Sequence, residues 1–199
     1  MRVIAGSAGG LILQPPGKET RPTMDRVRSA IFSSLGERVT AARVLDLFAG
    51  SGALGIEALS RGAASATFVE HHAPTAGVIR RNLQTTKLEG SVQQMDSFHY
   101  LAHYTVAGSL DLVLADPPYA KRRRGENISE NPAEKLLSHP NLHAGLGAEG
   151  LLVLECERRQ SLPSLPRWEI LSDRNYGESR ILILRSASPD LGTNLGENA

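Results

Sequence analysis

A chain of 199 residues, 41% hydrophobic and 22% charged, has the composition of one globular domain with room for a substantial core. Its net charge of +1 excludes a uniformly basic nucleic-acid binder, so any basic face must be local, and its one cysteine, Cys156, excludes an internal disulfide and suits a reducing compartment. No apolar stretch approaches the ~20 residues of a membrane span, and no signal-peptide segment opens the chain, so a soluble cytoplasmic protein without membrane contact is expected.

Taken in order, residues 2–14 hold two short apolar runs, Arg2-Val3-Ile4 and Leu11-Ile12-Leu13, around Gly6-Ser7-Ala8-Gly9-Gly10. That pattern predicts a β-hairpin, closed by Pro15-Pro16-Gly17. Arg21-Pro22-Thr23 leads into a helix with Thr23 as N-cap and Met24, Val27, Ile31 and Leu35 on one face. Arg26 and Arg28 fall off that stripe, either as a solvated face or as contacts to a phosphate backbone.

Val44-Leu45-Asp46-Leu47-Phe48 is a short apolar run of the kind a buried parallel strand needs. It breaks into Ala49-Gly50-Ser51-Gly52, and from Ala53 the pattern is helical until Arg61-Gly62. Such a strand–turn–helix presents free N–H groups to a ligand above the turn. A second strand, Ala66 to Glu70, places a carboxylate twenty residues past Gly50, where it can accept hydrogen bonds from both ribose hydroxyls of a nucleoside. Gly50-x-Gly52-x-x-Gly55 formally matches the dinucleotide fingerprint, which leaves a nicotinamide-dependent oxidoreductase as one reading.

Further elements alternate: a helix from Pro74, a strand at Ser91–Gln94 ending at Met95-Asp96, and a strand at Leu110–Ala115. A fifth strand, Leu151–Leu154, is entered from a loop containing Gly145, Gly147 and Gly150, and Trp168–Ser172 with Arg180–Leu184 forms a closing antiparallel pair. This alternation predicts a doubly wound α/β sheet, mostly parallel, with ligands at the C-terminal strand ends. His99 and His103 stand four apart on a helix without an acidic partner, and no metal is expected.

Asp116-Pro117-Pro118-Tyr119 follows the fourth strand. Two prolines fix the backbone and remove two N–H donors, so the turn presents carbonyls. With the Asp116 carboxylate and the Tyr119 ring, it suits a planar base carrying an exocyclic –NH2: the amine donates to Asp116 and to the Pro117 carbonyl, and the ring stacks on Tyr119. An oxidoreductase gives this tetrapeptide no task. Lys121-Arg122-Arg123-Arg124 comes next, at the rim of the site, where four cations can meet phosphates.

Asp116-Pro117-Pro118-Tyr119 after the fourth strand, with Phe48-Ala49-Gly50-Ser51-Gly52 after the first, resembles the S-adenosylmethionine-dependent amino-methyltransferases of nucleic acids. With Arg21-Pro22-Thr23-Met24-Asp25-Arg26-Val27-Arg28 and Leu45–Arg61 added, the chain resembles the bacterial RsmD family, the 16S ribosomal RNA guanine-N2 methyltransferases, over about residues 1–185 and including Glu155. The resemblance implies a Rossmann-like class I methyltransferase fold with S-adenosyl-L-methionine as cofactor. Phe48, Ala49, Gly50, Ser51 and Gly52, with Asp46 nearby, would wrap the methionine part, and Arg21 and Thr23 would close its end. Glu70 would bind the ribose, and Asp96 with Ser97 the adenine. Asp116, Pro117, Pro118 and Tyr119 would hold the target base, and Arg26, Arg28, Lys121, Arg122, Arg123 and Arg124 the RNA. His71-His72 after Glu70 and the long basic loop after Tyr119 depart from the family pattern.

The expected organisation is a hairpin-and-helix extension over 1–40, a catalytic domain over 41–185 and a disordered tail over 186–199. The expected partner is 16S ribosomal RNA within an assembled or partly assembled 30S subunit, met by a monomer. The tetrapeptide recognises an amine and not a particular base, so adenine-N6 or cytosine-N4 remains open as the target, as does a non-catalytic RNA-binding role.

Overall fold

A computed structural model of the chain describes residues 1–17, 22–118, 131–160, 162 and 165–187. Its elements in order are α1 (Pro22–Leu35), a 3-10 turn (Gly36–Val39), β1 (Arg43–Leu47), α2 (Ala53–Ser60), β2 (Ser65–Val69), α3 (Ala73–Thr86) and β3 (Ser91–Gln93). There follow α4 (Ser97–Tyr104), β4 (Leu110–Ala115), α5 (Pro132–Leu137), α6 (Pro140–Gly145), β5 (Leu146–Glu157), β6 (Trp168–Tyr176) and β7 (Ser179–Ser186). The strands form one seven-stranded sheet in the order β3-β2-β1-β4-β5-β7-β6. Neighbours from β3 to β5 pair in parallel, and β7 pairs antiparallel with both β5 and β6.

Alternating side chains of these strands bury on opposite faces. Val44, Phe68, Leu112, Leu114 and Val153 pack with Val27, Ile31 and Phe32 of α1, Ile56 of α2 and Ile79 of α3. Leu45, Leu47, Val113 and Leu152 pack on the other face with Leu101 of α4, Leu136 of α5 and Leu142 of α6. Helices on both faces explain why the central strands read as continuous apolar runs.

Three expectations about the elements need correction. Helix α1 already begins at Pro22, so Thr23 is a helical residue and not the N-cap; proline takes the first position because its missing N–H has no partner to lose there. The glycine loop before the fifth strand is itself strand: β5 starts at Leu146 and carries Gly147 and Gly150, with a register irregularity between Leu110 and Leu112 of β4. The N-terminal hairpin contracts to one antiparallel bridge, Arg2 with Ile12, flanked by the Val3 N–H to Leu11 carbonyl and Gly10 N–H to Val3 carbonyl bonds.

What seats that arm is a buried carboxylate. Glu57 of α2 has no exposed surface and accepts the N–H groups of Ile4 at 2.7 Å and Ala5 at 3.1 Å, together with Arg61 Nε at 2.7 Å. Arg28 joins it from α1: its Nε lies 3.6 Å from Glu57, while Nη2 donates to the Arg2 carbonyl and to Asp25. Arg28 is therefore buried, and its expected contact with RNA does not hold, because the guanidinium faces inward to pair with Glu57; Arg26 on the same helix is exposed. Asn82 of α3 adds a second tie, accepting the Gln14 N–H and donating to the Gln14 and Ser51 carbonyls. Val3, Ala8 and Leu13 of the arm thereby enter the same core as α1 and α2.

Replacing Glu57 by alanine strands two amide donors and a buried guanidinium, and should cost about 3–5 kcal/mol. Thermal unfolding reads the loss, and faster hydrogen exchange at the Ile4 and Ala5 amides would locate it. A Tm within a degree of wild type would show that the arm is seated by apolar contacts alone.

Candidate active site

The register of the parallel strands sets out the site. Leu47 pairs with Val69 on one side and Ala115 on the other, and Ala115 pairs with Leu154. One residue further on, Glu70, Phe48, Asp116 and Glu155 therefore stand in a row along the C-terminal edge of the sheet. The strand order reverses between β1 and β4, where an open α/β sheet leaves its ligand crevice.

The turn after β1 is held in backbone conformations that few residues adopt: Phe48 at φ 55, Gly50 at φ 55 and Gly52 at φ 78. A phenylalanine in the left-handed region is strained and must be held by its surroundings. Its N–H donates to Ser97 Oγ at 3.2 Å, and its ring meets Phe98 edge-on at 5.7 Å. Among the described residues, a Cβ added at Gly50 would meet only the Phe48 carbonyl oxygen, at 3.9 Å. Gly55 differs, since a Cβ there would fall 2.4 Å from the Phe68 ring, so this glycine serves the packing of α2 on β2.

Two carboxyl groups support the turn. The Gly50 N–H donates to Glu70 Oε2 at 3.0 Å, and the His72 N–H donates to Oε1 at 2.8 Å, so a largely buried Glu70 is fixed against the turn. His72 contributes its main chain to this contact, which explains why a histidine is tolerated there. Asp46 lies beneath, 1% exposed, accepting the Gly55 N–H at 2.9 Å. Gly52, the N-cap of α2, has no side chain to satisfy that donor, and Asp46 does so from β1. Asp46 thus holds the turn from below.

Asp96 caps α4, its Oδ1 accepting from the Phe98 and His99 N–H groups at 2.9 Å, so Oδ2 is the oxygen left for a ligand. Phe98 faces Lys135, whose Nζ lies 4.5 Å from the ring centroid. Neither Phe98 nor Lys135 was singled out from sequence; the one cue was an aromatic two residues past Asp96.

Asp116 meets solvent beside the turn, with Pro117 buried and Pro118 exposed. Crowding by the surrounding protein, then the charges of Glu155 and Asp46, push its carboxyl well above the ordinary range. Burial, with Glu70 adding to it against the Gly55 hydrogen bond, raises Asp46 to about 8. Asp46, Phe48 to Gly52, Glu70, Asp96, Ser97 and Asp116 to Pro118 therefore gather at one place. Arg21, Tyr119 and Lys121 to Arg124 lie outside the described residues, as does the tail from residue 188.

An aspartate that titrates near 3.8 when unfolded and about 8 when folded binds its proton preferentially in the fold, so stability falls as pH rises between those values. Asp46→Asn keeps an acceptor for Gly55 and removes the charge. Its Tm should match wild type near pH 4 and exceed it by pH 8.5; parallel pH curves for the two proteins would show that Asp46 does not titrate in this window.

The family model described as conserved hypothetical protein 95 matches residues 1–185. Ribosomal RNA small subunit methyltransferase D of Escherichia coli K12 is 34% identical over 181 residues, covering 89% of this chain and 86% of its own. The protein of the same name from Haemophilus influenzae is 33% identical over 181 residues, covering 89% of each chain. Among solved structures, yhhF of Escherichia coli superposes with a TM-score of 0.77 at 32% identity, covering 95% of this chain and 99% of its own. A match along almost the whole length, in sequence and in fold, places this chain in the RsmD family of methyltransferases.

Proposed function

We propose that this protein transfers a methyl group from S-adenosyl-L-methionine to the exocyclic N2 amine of a guanine in 16S ribosomal RNA. The observation that carries the reading is the position of Asp116-Pro117-Pro118 directly beside the Phe48–Gly52 turn, one strand apart at the switch point of the sheet. Relatives named small-subunit ribosomal RNA methyltransferases support ribosomal RNA as the substrate.

The residues present fit the cofactor. Glu70 is a fixed acceptor for ribose hydroxyls, Asp96 Oδ2 is an acceptor for an adenine amine, and Phe48 with Phe98 forms an aromatic wall. When bound, S-adenosylmethionine supplies an electrophilic methyl group.

The protein supplies the rest. A guanine N2 lone pair is delocalised into the ring and is a poor nucleophile. Asp116 and the Pro117 carbonyl, accepting its two hydrogens, favour a pyramidal nitrogen with its lone pair free. Holding that nitrogen in line with the methyl group is a proximity effect. As the nitrogen gains its fourth bond it becomes cationic, and Asp116 stabilises that charge and takes up the released proton. A raised affinity for protons suits it to that end of the step. The base must leave its stack to reach the cleft. Arg26, with Lys121 to Arg124, would grip the phosphates around it.

The extension over 1–40 and the catalytic domain over 41–185 would work as one monomer in the cytoplasm; the tail expected from residue 186 is still strand there, because β7 runs through Ser186 to pair with Trp168, and its remainder from 188 lies outside the described residues. The protein would take its substrate as an assembled or partly assembled 30S subunit.

Unmodified small-subunit particles incubated with the protein and labelled cofactor should yield N2-methylguanosine at one position on nucleoside mass spectrometry. N6-methyladenosine would overturn the choice of base, and faster methylation of protein-free RNA the choice of particle. Asp116→Ala should lower kcat at least ~100-fold with cofactor affinity nearly unchanged, whereas Glu70→Ala should weaken cofactor binding ~10-fold or more. Isothermal titration with S-adenosylhomocysteine separates the two; reversed phenotypes would mean the halves of the site are misassigned.

A further inference from the structure

Asp116 and the Pro117 carbonyl account for an amine, and adenine, cytosine and guanine all carry one. The bases differ at the ring nitrogen next to it. Guanine N1 bears a hydrogen, while adenine N1 and cytosine N3 are bare acceptors. A site that selects guanine needs a second acceptor beside the one that holds the amine, and an anionic acceptor there also repels the other two bases.

Glu155 occupies that place. It follows Leu154, the register partner of Ala115, as Asp116 follows Ala115 itself, so the two carboxylates are lateral neighbours on adjacent strands. Leu114 and Val153, two residues before each, share one core, so Asp116 and Glu155 project from the same face. Adjacent strands lie ~4.8 Å apart, a separation at which two side chains can converge on neighbouring atoms of one base edge.

Glu155 is also oriented. Ser179 Oγ, at the start of β7, donates to its Oε1 at 2.6 Å, which leaves Oε2 for another donor. The residue is half-buried, and among the described residues no ion pair joins it to a cation. Two carboxylates side by side repel, and Glu155 is one cause of the raised affinity of Asp116 for protons. Donors from one ligand to both would relieve that repulsion.

We propose that Glu155 is the residue that selects guanine, its carboxylate accepting the base N1–H while Asp116 and the Pro117 carbonyl accept the hydrogens of the adjacent amine. This assignment rests on the methyltransferase function above. It makes Glu155 a specificity-determining residue, distinct from Asp116, which acts on the reacting nitrogen.

The test uses the full-length protein and small-subunit particles carrying either guanosine or 2-aminopurine riboside at the methylated position. The analogue keeps the 2-amine but has a bare N1. Wild type should prefer guanosine by at least ~30-fold in kcat/KM, in the range expected for one charged hydrogen bond and its repulsive counterpart. In Glu155→Gln the carboxamide can donate to the bare N1, and the preference should fall below ~3-fold with S-adenosylhomocysteine affinity within about twofold of wild type. An equal preference in the two proteins would overturn the assignment while leaving the function standing. A wild type that accepts both bases within ~3-fold would overturn it without recourse to the variant. Absence of N2-methylguanosine from the wild-type reaction on guanosine would overturn the function and this assignment together.

Discussion

The working end of this molecule depends on one buried hydrogen bond, from the Gly55 N–H of α2 to the Asp46 carboxyl of β1. It joins the strand before the glycine turn to the helix after it, so the turn between them is fixed at both ends. Everything set on that turn follows. Phe48 can be held in a strained conformation, Gly50 can present its N–H to Glu70, and Gly52 can begin a helix without a capping side chain. With a proton affinity matched to about pH 8, the carboxyl can accept this bond in its neutral form through the carbonyl oxygen, which lessens the cost of burying it.

Charge is distributed by the same geometry. Parallel strands in register end together, so their next residues form a row, and here that row carries Glu70, Asp116 and Glu155 with Asp46 below. A cationic cofactor and a base edge rich in N–H donors are the ligands such a row suits. Several cations among the described residues are committed away from that row. Arg28 and Arg61 are committed to Glu57, Arg43 to Asp111 and Arg180 to Asp173. Arg26 remains exposed on α1.

The N-terminal arm has a structural reason to be there. It is seated on α2 by Glu57 and Ser60 and on α3 by Asn82, the two helices that flank the glycine turn. Asn82 touches the turn itself, through the Ser51 carbonyl. The arm thus braces the cofactor side of the cleft from outside, and its apolar residues complete the core that α1 and α2 share.

The amino-acid sequence by itself determined the local chemistry: apolar runs that alternate with helical stripes, a glycine turn followed twenty residues later by Glu70, and a proline-locked turn after Asp116. Those are short-range features, set by residue type and spacing, and the strands and helices they imply form among the described residues, except for the N-terminal hairpin, which contracts to one bridge. Other features were decided only by the tertiary structure, because they join residues far apart in the chain. Arg28 reads as a surface cation until Glu57, distant in sequence but adjacent in space, turns it inward. Asp46 reads as a ligand contact until the missing cap of α2 claims it. Glu155 reads as one charge at the end of an apolar strand, and only strand register brings it to Asp116. Spacing along the chain cannot encode which strands become neighbours, and at this site that neighbourhood sets which carboxyl groups share one field.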